Sequence, residues 1–427
     1  MPGSIRVAIS GGGLAGASLL HALLQEPHLD VHIFESAENF TQAGAAVAMT
    51  RNALAALNAI GPATSQCLKN AGAVAMQGAR YMLAQGEGSG NVLVDLEDDP
   101  AKGELQTSIV HRAAFLKALL ADVPPARMHT SKKLVKVDHR ADESLELHFA
   151  DGTAHECDIL IGADGIHSYV RRLILGDSDP AASPRNTGFW CVMALKPYAE
   201  AQARLGDSVV NINDPREYDW VGDGAYLLHN ILEQGQLVQL IIAAYEKEAE
   251  VSDQWRRTVS ADEIKSLYKD WPPHLNKAVI ELLCDQPEQP AMYLWEHPPA
   301  RTYVSGSMAI MGDAAHATSP WQASGGGMSI EDSLILSKLF SRAKTPAEAR
   351  TALRVYDEVR RPRTQRIVES SRGTGMIVTG KDSEAKLDFG KLRAKLSPRW
   401  DFIIDFDINQ HVSEAMGIME EQLKAIS

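Results

Sequence analysis

The residues of this 427-residue chain best equipped to bind a charged ligand are glycines and acids gathered in three short clusters. The first is Gly11-Gly12-Gly13-Leu14-Ala15-Gly16, a G-x-G-x-x-G spacing. In such a run the first glycine makes a tight turn, the second lets a pyrophosphate approach the backbone, and the third lets helix and strand pack closely. The succeeding helix offers free N–H groups and the positive end of its dipole to the phosphate. Glu35 stands 19 residues past Gly16, at the end of the next apolar run. A carboxylate there accepts from ribose hydroxyls and repels a 2′-phosphate, so the site suits an unphosphorylated adenosine. The second cluster ends the run Asp158-Ile159-Leu160-Ile161 with Gly162-Ala163-Asp164-Gly165. The third is Gly312-Asp313-Ala314-Ala315-His316, continuing through Pro320 to Gly325-Gly326-Gly327 and Glu331-Asp332. Both share one grammar: a buried strand ends in glycine and aspartate, and that aspartate can hydrogen-bond a ribityl or ribose hydroxyl. Gly325 to Gly327 precede a helix and give a second anion-binding start. Two such starts in one chain can hold both ends of a long dinucleotide.

Regular elements must position these clusters. Ile5 to Ile9 reads as a buried parallel strand, Ala17 to Gln25 as a helix and Val31 to Phe34 as a second strand, a βαβ unit of about 30 residues. Asn52 to Ile60 reads as a helix stopped by Gly61-Pro62, and Leu145, Leu147 and Phe149 as a half-exposed strand turned at Asp151-Gly152. From about 180 to 284 the character changes. Val209 to Ile212, Ala225 to Leu228 and Leu237 to Ala244 read as strands of an inserted antiparallel sheet. Ser307 to Met311 returns as a buried strand, followed by helices over Ile330 to Ala343 and Ala347 to about Ser371; Pro362 should kink or break the second. The expected fold is α/β: a Rossmann-like nucleotide domain with an inserted antiparallel-sheet domain and a C-terminal helical segment. Its boundaries are 1–178 and 285–375 for the nucleotide domain, 179–284 for the insertion and 376–427 for the tail.

Composition excludes several functions. The net charge of −13 argues against nucleic-acid or anionic-membrane partners, and 6% aromatics against a base-stacking surface. Cys67, Cys157, Cys191 and Cys284 are far apart, with neither a CxxC nor a nearby His cluster, so free thiols are expected and no metal site. No apolar run reaches the roughly 18 residues of a membrane span, and the first residues carry no secretory signal. A cytoplasmic location is expected, as monomer or homodimer.

With the three clusters in order, the sequence resembles the FAD-dependent aromatic hydroxylases of the salicylate hydroxylase and para-hydroxybenzoate hydroxylase type, the group A flavoprotein monooxygenases, in their fungal branch. Val110-His111-Arg112-Ala113-Ala114-Phe115-Leu116 resembles the family's HRxxFL helix start, and Tyr356-Asp357 with Arg360-Arg361-Pro362-Arg363 its YxxxRRPR segment. The likeness spans about residues 5 to 372. It implies non-covalent FAD, with NAD(P)H as a transient co-substrate, since the chain has no second G-x-G-x-x-G. It implies insertion of one oxygen of O2 into a phenolic or related ring through a flavin C4a-hydroperoxide. By the same resemblance Gly11, Gly13, Leu14, Ala15, Gly16 and Glu35 hold the ADP half. Arg112 approaches the ribityl or phosphate portion, Asp164 and Gly165 lie near FAD and the pyridine nucleotide, Asp313 contacts the ribityl or pyrophosphate, and Gly325, Gly326 and Gly327 lie under the isoalloxazine.

The chain departs from its fungal relatives around the expected substrate. Trp190 stands where an arginine is usual, Asn230 where a tyrosine is frequent, and Trp321, after Pro320, where a histidine is usual. These four suit a flat, weakly polar ring. Alternatively Trp190 packs in the core and another residue, such as Arg51, supplies charge. Catalytic groups are not evident; Tyr226 or His229 can supply a polar contact, but strand alternation puts only one parity of that strand on the pocket face. His316 and His167 read as packing residues, and Arg360, Arg361, Arg363 and Arg366 as a solvated or ion-paired helix face. The same scaffold also allows an epoxidase or dearomatising hydroxylase of secondary metabolism, a flavin reductase that does not use O2, or a flavin-binding sensor.

Overall fold

The structure is a computed structural model, which describes residues 4–40, 46–98 and 105–425. Its nucleotide half is built on a six-stranded sheet in the order Val304–Ser305, Met308–Ile310, Ile159–Gly162, Ile5–Ser10, Leu29–Phe34, Met128–His129. All neighbours are parallel except the antiparallel edge strand Val304–Ser305. The continuous apolar runs suit these strands because helices cover both faces of a parallel sheet. Register brings the strand exits together. Ser10 pairs with Gly162 and Gly162 with Ile310, so the three glycine-aspartate clusters leave adjacent strands at one sheet edge. Two main-chain bonds lock the exits: Ala163 N donates to Ser10 O at 2.7 Å and Met311 N to Gly162 O at 2.9 Å. Ligands of open α/β sheets bind at this carboxyl end.

The second half is an eight-stranded sheet in the order Arg256–Ser260, Glu288–Glu296, Arg185–Pro197, Leu237–Tyr245, Ala225–Leu232, Glu217–Val221, Ala79–Leu83, Val92–Leu96. It recruits strands from 79–96 and 288–296 as well as the middle of the chain. It is antiparallel apart from the parallel pair Glu217–Val221 with Ala79–Leu83. Helices Tyr198–Leu205, Ala261–Tyr268 and Pro273–Leu283 cover one face through Ala201, Leu205, Ile264 and Leu275. The other face packs on Trp321, Ile377, Leu392 and Trp400.

Three local expectations are corrected. The first helix is Leu14–Leu23, three residues earlier than expected, because the last half of the glycine motif is already its first turn. Val209 to Ile212 is a turn, not a strand: the Tyr198 hydroxyl donates to Val210 O and accepts from Ile212 N, both at 3.1 Å, folding the segment back on its helix. Pro362 does not break its helix, which runs Pro346–Val378. The tail forms helices Phe389–Leu396 and Ile408–Lys424, which bury Leu392, Leu396 and Met419 in the cores of the two halves. Among the described residues no helix is long and apolar enough to cross a membrane.

What carries the helix past Pro362 is a buried ion cluster. Arg360 is 0% exposed and donates to Glu331 Oε2 at 2.6 Å, Asp332 Oδ1 at 2.8 Å and Met328 O at 3.2 Å. Arg363 grips both oxygens of Glu331 at 2.8 Å, and Asn52 donates to Oε1 at 2.7 Å. Asp332 Oδ2 also accepts from Gly312 N at 3.0 Å and bonds His316 Nε2 at 2.7 Å. The arginine face is therefore ion-paired, and at Arg360 and Arg363 it is buried rather than solvated. Burial alone would raise both carboxyls. For Glu331 the Arg360 and Arg363 guanidiniums overcome it; for Asp332 His316 and Arg360 do, and both acids lie below their usual range. The stability so gained is complete above the ordinary carboxylate range near pH 4 and is lost as pH falls through the depressed values. Arg360→Met leaves two buried carboxylates short of a cation, and should lower unfolding free energy by about 3–5 kcal/mol in urea melts followed by circular dichroism. An unchanged midpoint would refute this reading of the cluster.

Candidate functional site

At the carboxyl edge of the six-stranded sheet lies a cleft of about 250 Å3, lined by Gly13, Leu14, Ala15, Val47, Arg112, Ala163, Gly165, Asp313, Gly325 and Gly326. Its walls need glycine. A Cβ on Gly11, whose φ is +112°, would sit 2.2 Å from Ala163 O, and one on Gly16 would sit 2.0 Å from Gly11 O. Glu35 braces this loop: its carboxylate accepts from Gly12 N at 2.7 Å and Ala37 N at 2.8 Å. A carboxylate offers about four acceptor positions, so capacity for a ribose hydroxyl remains.

The cleft presents unused polar groups. Arg112 opens the helix Arg112–Leu120, and its buried Nε has no partner. Asp313 begins the short helix Asp313–His316, and its carboxylate accepts no hydrogen bond from the described residues. Gly165, at φ +75°, has nothing within 4 Å of where a Cβ would stand. Asp164 departs from expectation. It accepts from Ser168 Oγ, from Tyr169 N at 2.8 Å and from Val170 N at 3.1 Å, so it anchors the start of helix Tyr169–Leu175 instead of facing the cleft. Gly327 faces elsewhere: a Cβ there would touch Ala53 and Asn52 at the ordinary contact distances of 3.4–3.5 Å, so the position looks onto the helix Arg51–Ile60 and not into the cleft. Arg171, unremarked in the sequence, is 0% exposed and donates to Ala314 O at 3.0 Å and Ala315 O at 2.6 Å, tying that helix to the turn that carries Asp313.

At Gly325 and Gly326 the cleft meets a second cavity of about 360 Å3, mostly apolar. Tyr226, Leu228 and Asn230 line it from one strand face, Ile241 and Ala243 from the next strand, Cys191 and Met193 from the strand beyond, and Pro320 and Trp321 from the loop before Gly325. Trp321 is held edge-on against Phe189 at 4.9 Å and Tyr226 at 5.3 Å, and Gly375 makes room for its indole. Asn230, Pro320 and Trp321 thus line this cavity together with Tyr226. Trp190 and His229 do not. Both have the opposite strand parity. Trp190 is 2% exposed in the core beneath the sheet, with the Arg257 guanidinium 5.0 Å from its ring centroid. His229 accepts from Trp220 Nε1 at 3.1 Å, and burial, with His274 nearby, pulls its pKa down to about 3. Arg51 is paired with Asp98 and Asp405.

Sequence reasoning missed two acids. Glu217 and Asp219 share one face of the strand Glu217–Val221; Glu217 lines the cavity, and both line an adjoining recess of about 80 Å3. The alternation Glu-Tyr-Asp-Trp was the available signal: aromatics for a core face, acids for the other. The Tyr226 hydroxyl donates to Asp219 Oδ1. Burial raises the Glu217 carboxyl to about 7; burial, then the Glu217 charge, raise Asp219 above its ordinary range against the Tyr226 bond.

A family model described as an FAD binding domain matches residues 198–371. A 6-methylsalicylate 1-monooxygenase of Aspergillus terreus is 34% identical over 98% of this chain and 93% of its own length. The chain belongs to the FAD-dependent monooxygenases of the salicylate hydroxylase type. Salicylate hydroxylase of Pseudomonas putida is 28% identical over 96% of this chain and 94% of its own. A solved salicylate hydroxylase in a substrate complex gives a TM-score of 0.82 at 26% identity, covering 97% of this chain and 98% of that one. As a flavoprotein fold, the cleft fits FAD on its own evidence. An orphaned Arg112 Nε and an unpartnered Asp313 beside the helix start at Leu14 are what a phosphate-bearing, hydroxyl-rich ligand requires. Asp313→Ala should weaken FAD binding about five- to a hundredfold in flavin-fluorescence titrations of the stripped protein, the loss of one buried hydroxyl partner. Asp164→Ala should instead lower stability by about 1 kcal/mol, as a lost helix cap does. The opposite pattern would reverse the two assignments.

Proposed function

We propose that this flavoprotein monooxygenase inserts one atom of O2 into an aromatic ring, with NAD(P)H as a reductant that visits without a dedicated fold. The observation that carries the reading is the junction at Gly325 and Gly326, where a glycine cleft shaped for FAD opens on an apolar pocket. The names of its relatives, a 6-methylsalicylate monooxygenase and a salicylate hydroxylase, support an aromatic substrate. FAD, when bound, supplies the redox chemistry and the activation of O2.

The chain's own residues do the rest. Gly11, Gly13 and Gly16 with the helix start at Leu14 receive the pyrophosphate. Arg112 and Asp313 offer a donor and an acceptor to the cofactor's polar middle. No Cys or His lines the cleft among the described residues, which supports non-covalent binding. Leu228, Ile241, Pro320 and Trp321 exclude water from the ring's side of the junction and orient a flat substrate against it. Tyr226 supplies a polar contact at the far wall. Its hydroxyl proton is held on Asp219, so the phenol oxygen is left free to accept. We place the enzyme in the cytoplasm, as monomer or homodimer, where free cysteines such as the four seen here persist.

The test is oxygen consumption with 18O2. An accepted phenol should stimulate NAD(P)H oxidation, and mass spectrometry should find one labelled oxygen in the product. Stimulated oxidation that yields only hydrogen peroxide with every ring tried would leave a reductase. Within this reading Trp321→Ala should raise KM. Trp190→Ala should lower stability by about 3–5 kcal/mol and leave KM unchanged, because that indole fills the core behind the sheet.

A further inference from the structure

We propose that Glu217 and Asp219, with the hydroxyl of Tyr226, form a hydrogen-bonding floor that selects an uncharged, hydroxyl-bearing ring and rejects a ring carrying a carboxylate. The proposal rests on the hydroxylase reading above and names its substrate class.

Four observations carry it. From one strand face Glu217 lines both cavities and Asp219 the smaller one, and Tyr226 lines both. Asp219 is 1% exposed, and its Oδ2 has no partner although Oδ1 accepts from Tyr226. Gln239, on a different strand, is 7% exposed, lines the larger of the two cavities and has an unpartnered Oε1. Buried polar atoms without partners are rare in native proteins; Asp219 Oδ2 and Gln239 Oε1, in two cavities that share Glu217 and Tyr226, mark where a ligand's polar groups go. Finally, no Lys, Arg or His lines either cavity among the described residues. The nearby guanidiniums are engaged: Arg51 with Asp98 and Asp405, and Arg216 with Asp95, Asp214 and Glu97.

A phenolic hydroxyl both donates and accepts, so it satisfies Asp219 Oδ2 in either protonation state and can also accept from a protonated Glu217. A carboxylate only accepts. It would enter a water-poor space with no cation and up to two like charges, the arrangement electrostatic complementarity selects against. Such a wall disfavours the salicylates that the names of two relatives specify.

The experiment uses the FAD-loaded enzyme and two ring-matched probes, 3-methylphenol and 6-methylsalicylic acid, which differ by the carboxylate. Dissociation constants at pH 7.5 are read from the change in flavin absorbance and checked by quenching of tryptophan fluorescence. The phenol should bind at least about tenfold more tightly than the acid. Glu217→Gln and Asp219→Asn, which keep shape and hydrogen bonding while removing charge, should each narrow that ratio at least about threefold by improving the acid. If Asp219→Asn does not fold, Glu217→Gln alone decides. The proposal is overturned if the wild type binds the acid as tightly as the phenol, if neither probe binds, or if the variants leave the ratio unchanged. Failure of the hydroxylase reading would show separately, as absence of 18O from every ring product.

Discussion

Burying Arg360 between Glu331 and Asp332 is the constraint on which the site's geometry depends. Taking such ions out of water costs several kcal/mol each, and only near-complete pairing and hydrogen bonding offset it. The cluster meets that condition: the carboxylates and both guanidiniums are fixed by bonds of 2.6–3.2 Å. It joins pieces far apart in sequence. Asp332 holds the Gly312 amide, and so sets the turn that presents Asp313. Glu331 and Asp332 belong to the helix whose first turn is Gly325 and Gly326. Asn52 ties in the helix Arg51–Ile60, and Arg363 reaches Phe402 O and Ile403 O in the tail. Both walls of the junction between cleft and pocket are thus referred to one buried point.

That arrangement also explains the division of labour across the sheet edge. Three parallel strands deliver three turns to one place by register alone, but register does not fix where the side chains point. Arg171 and the Asp332 contact do so for the third turn, and Asp164 does so for the second by anchoring a helix start. Asp164 spends three acceptor positions on that helix start, whereas Asp313 spends none and keeps its whole carboxylate for the cleft.

How much of this was legible in the sequence obeys the same logic. Gly11, Gly13 and Gly16 were readable because a backbone requirement leaves few residue types. The order of the clusters gave the fold. What the sequence could not convey was face. Trp190 and His229 have the residue types of a ligand pocket and the wrong parity in their strands, and a shift of one residue reverses every side chain. Gly327 resembles its two neighbours, but one step around a helix turns it from the cleft to the helix Arg51–Ile60. Val209 to Ile212 has strand composition, yet the Tyr198 hydroxyl supplies its main-chain partners and the segment turns. Pro362 has no amide to donate, but the flanking arginines hold the helix through it. Arg360 read as surface because arginine is rarely fully buried, and only the acids on a neighbouring helix reverse that expectation.

The two cavities that meet at Gly325 and Gly326 differ in charge as well as shape. The cleft offers an arginine, backbone amides and a helix start, a setting for phosphates. The pocket offers apolar walls and two carboxyls, a setting in which a second anion is unwelcome. Such a boundary keeps an anionic cofactor and its substrate from competing for one another's sites without any moving part. Along the pocket Trp321, Leu228 and Ile241 are apolar, while acid, hydroxyl and amide groups stand on the strands of Glu217, Tyr226 and Gln239. On the proposed reading, a ring that carries its hydroxyl to that end presents its opposite edge to the junction at Gly325 and Gly326.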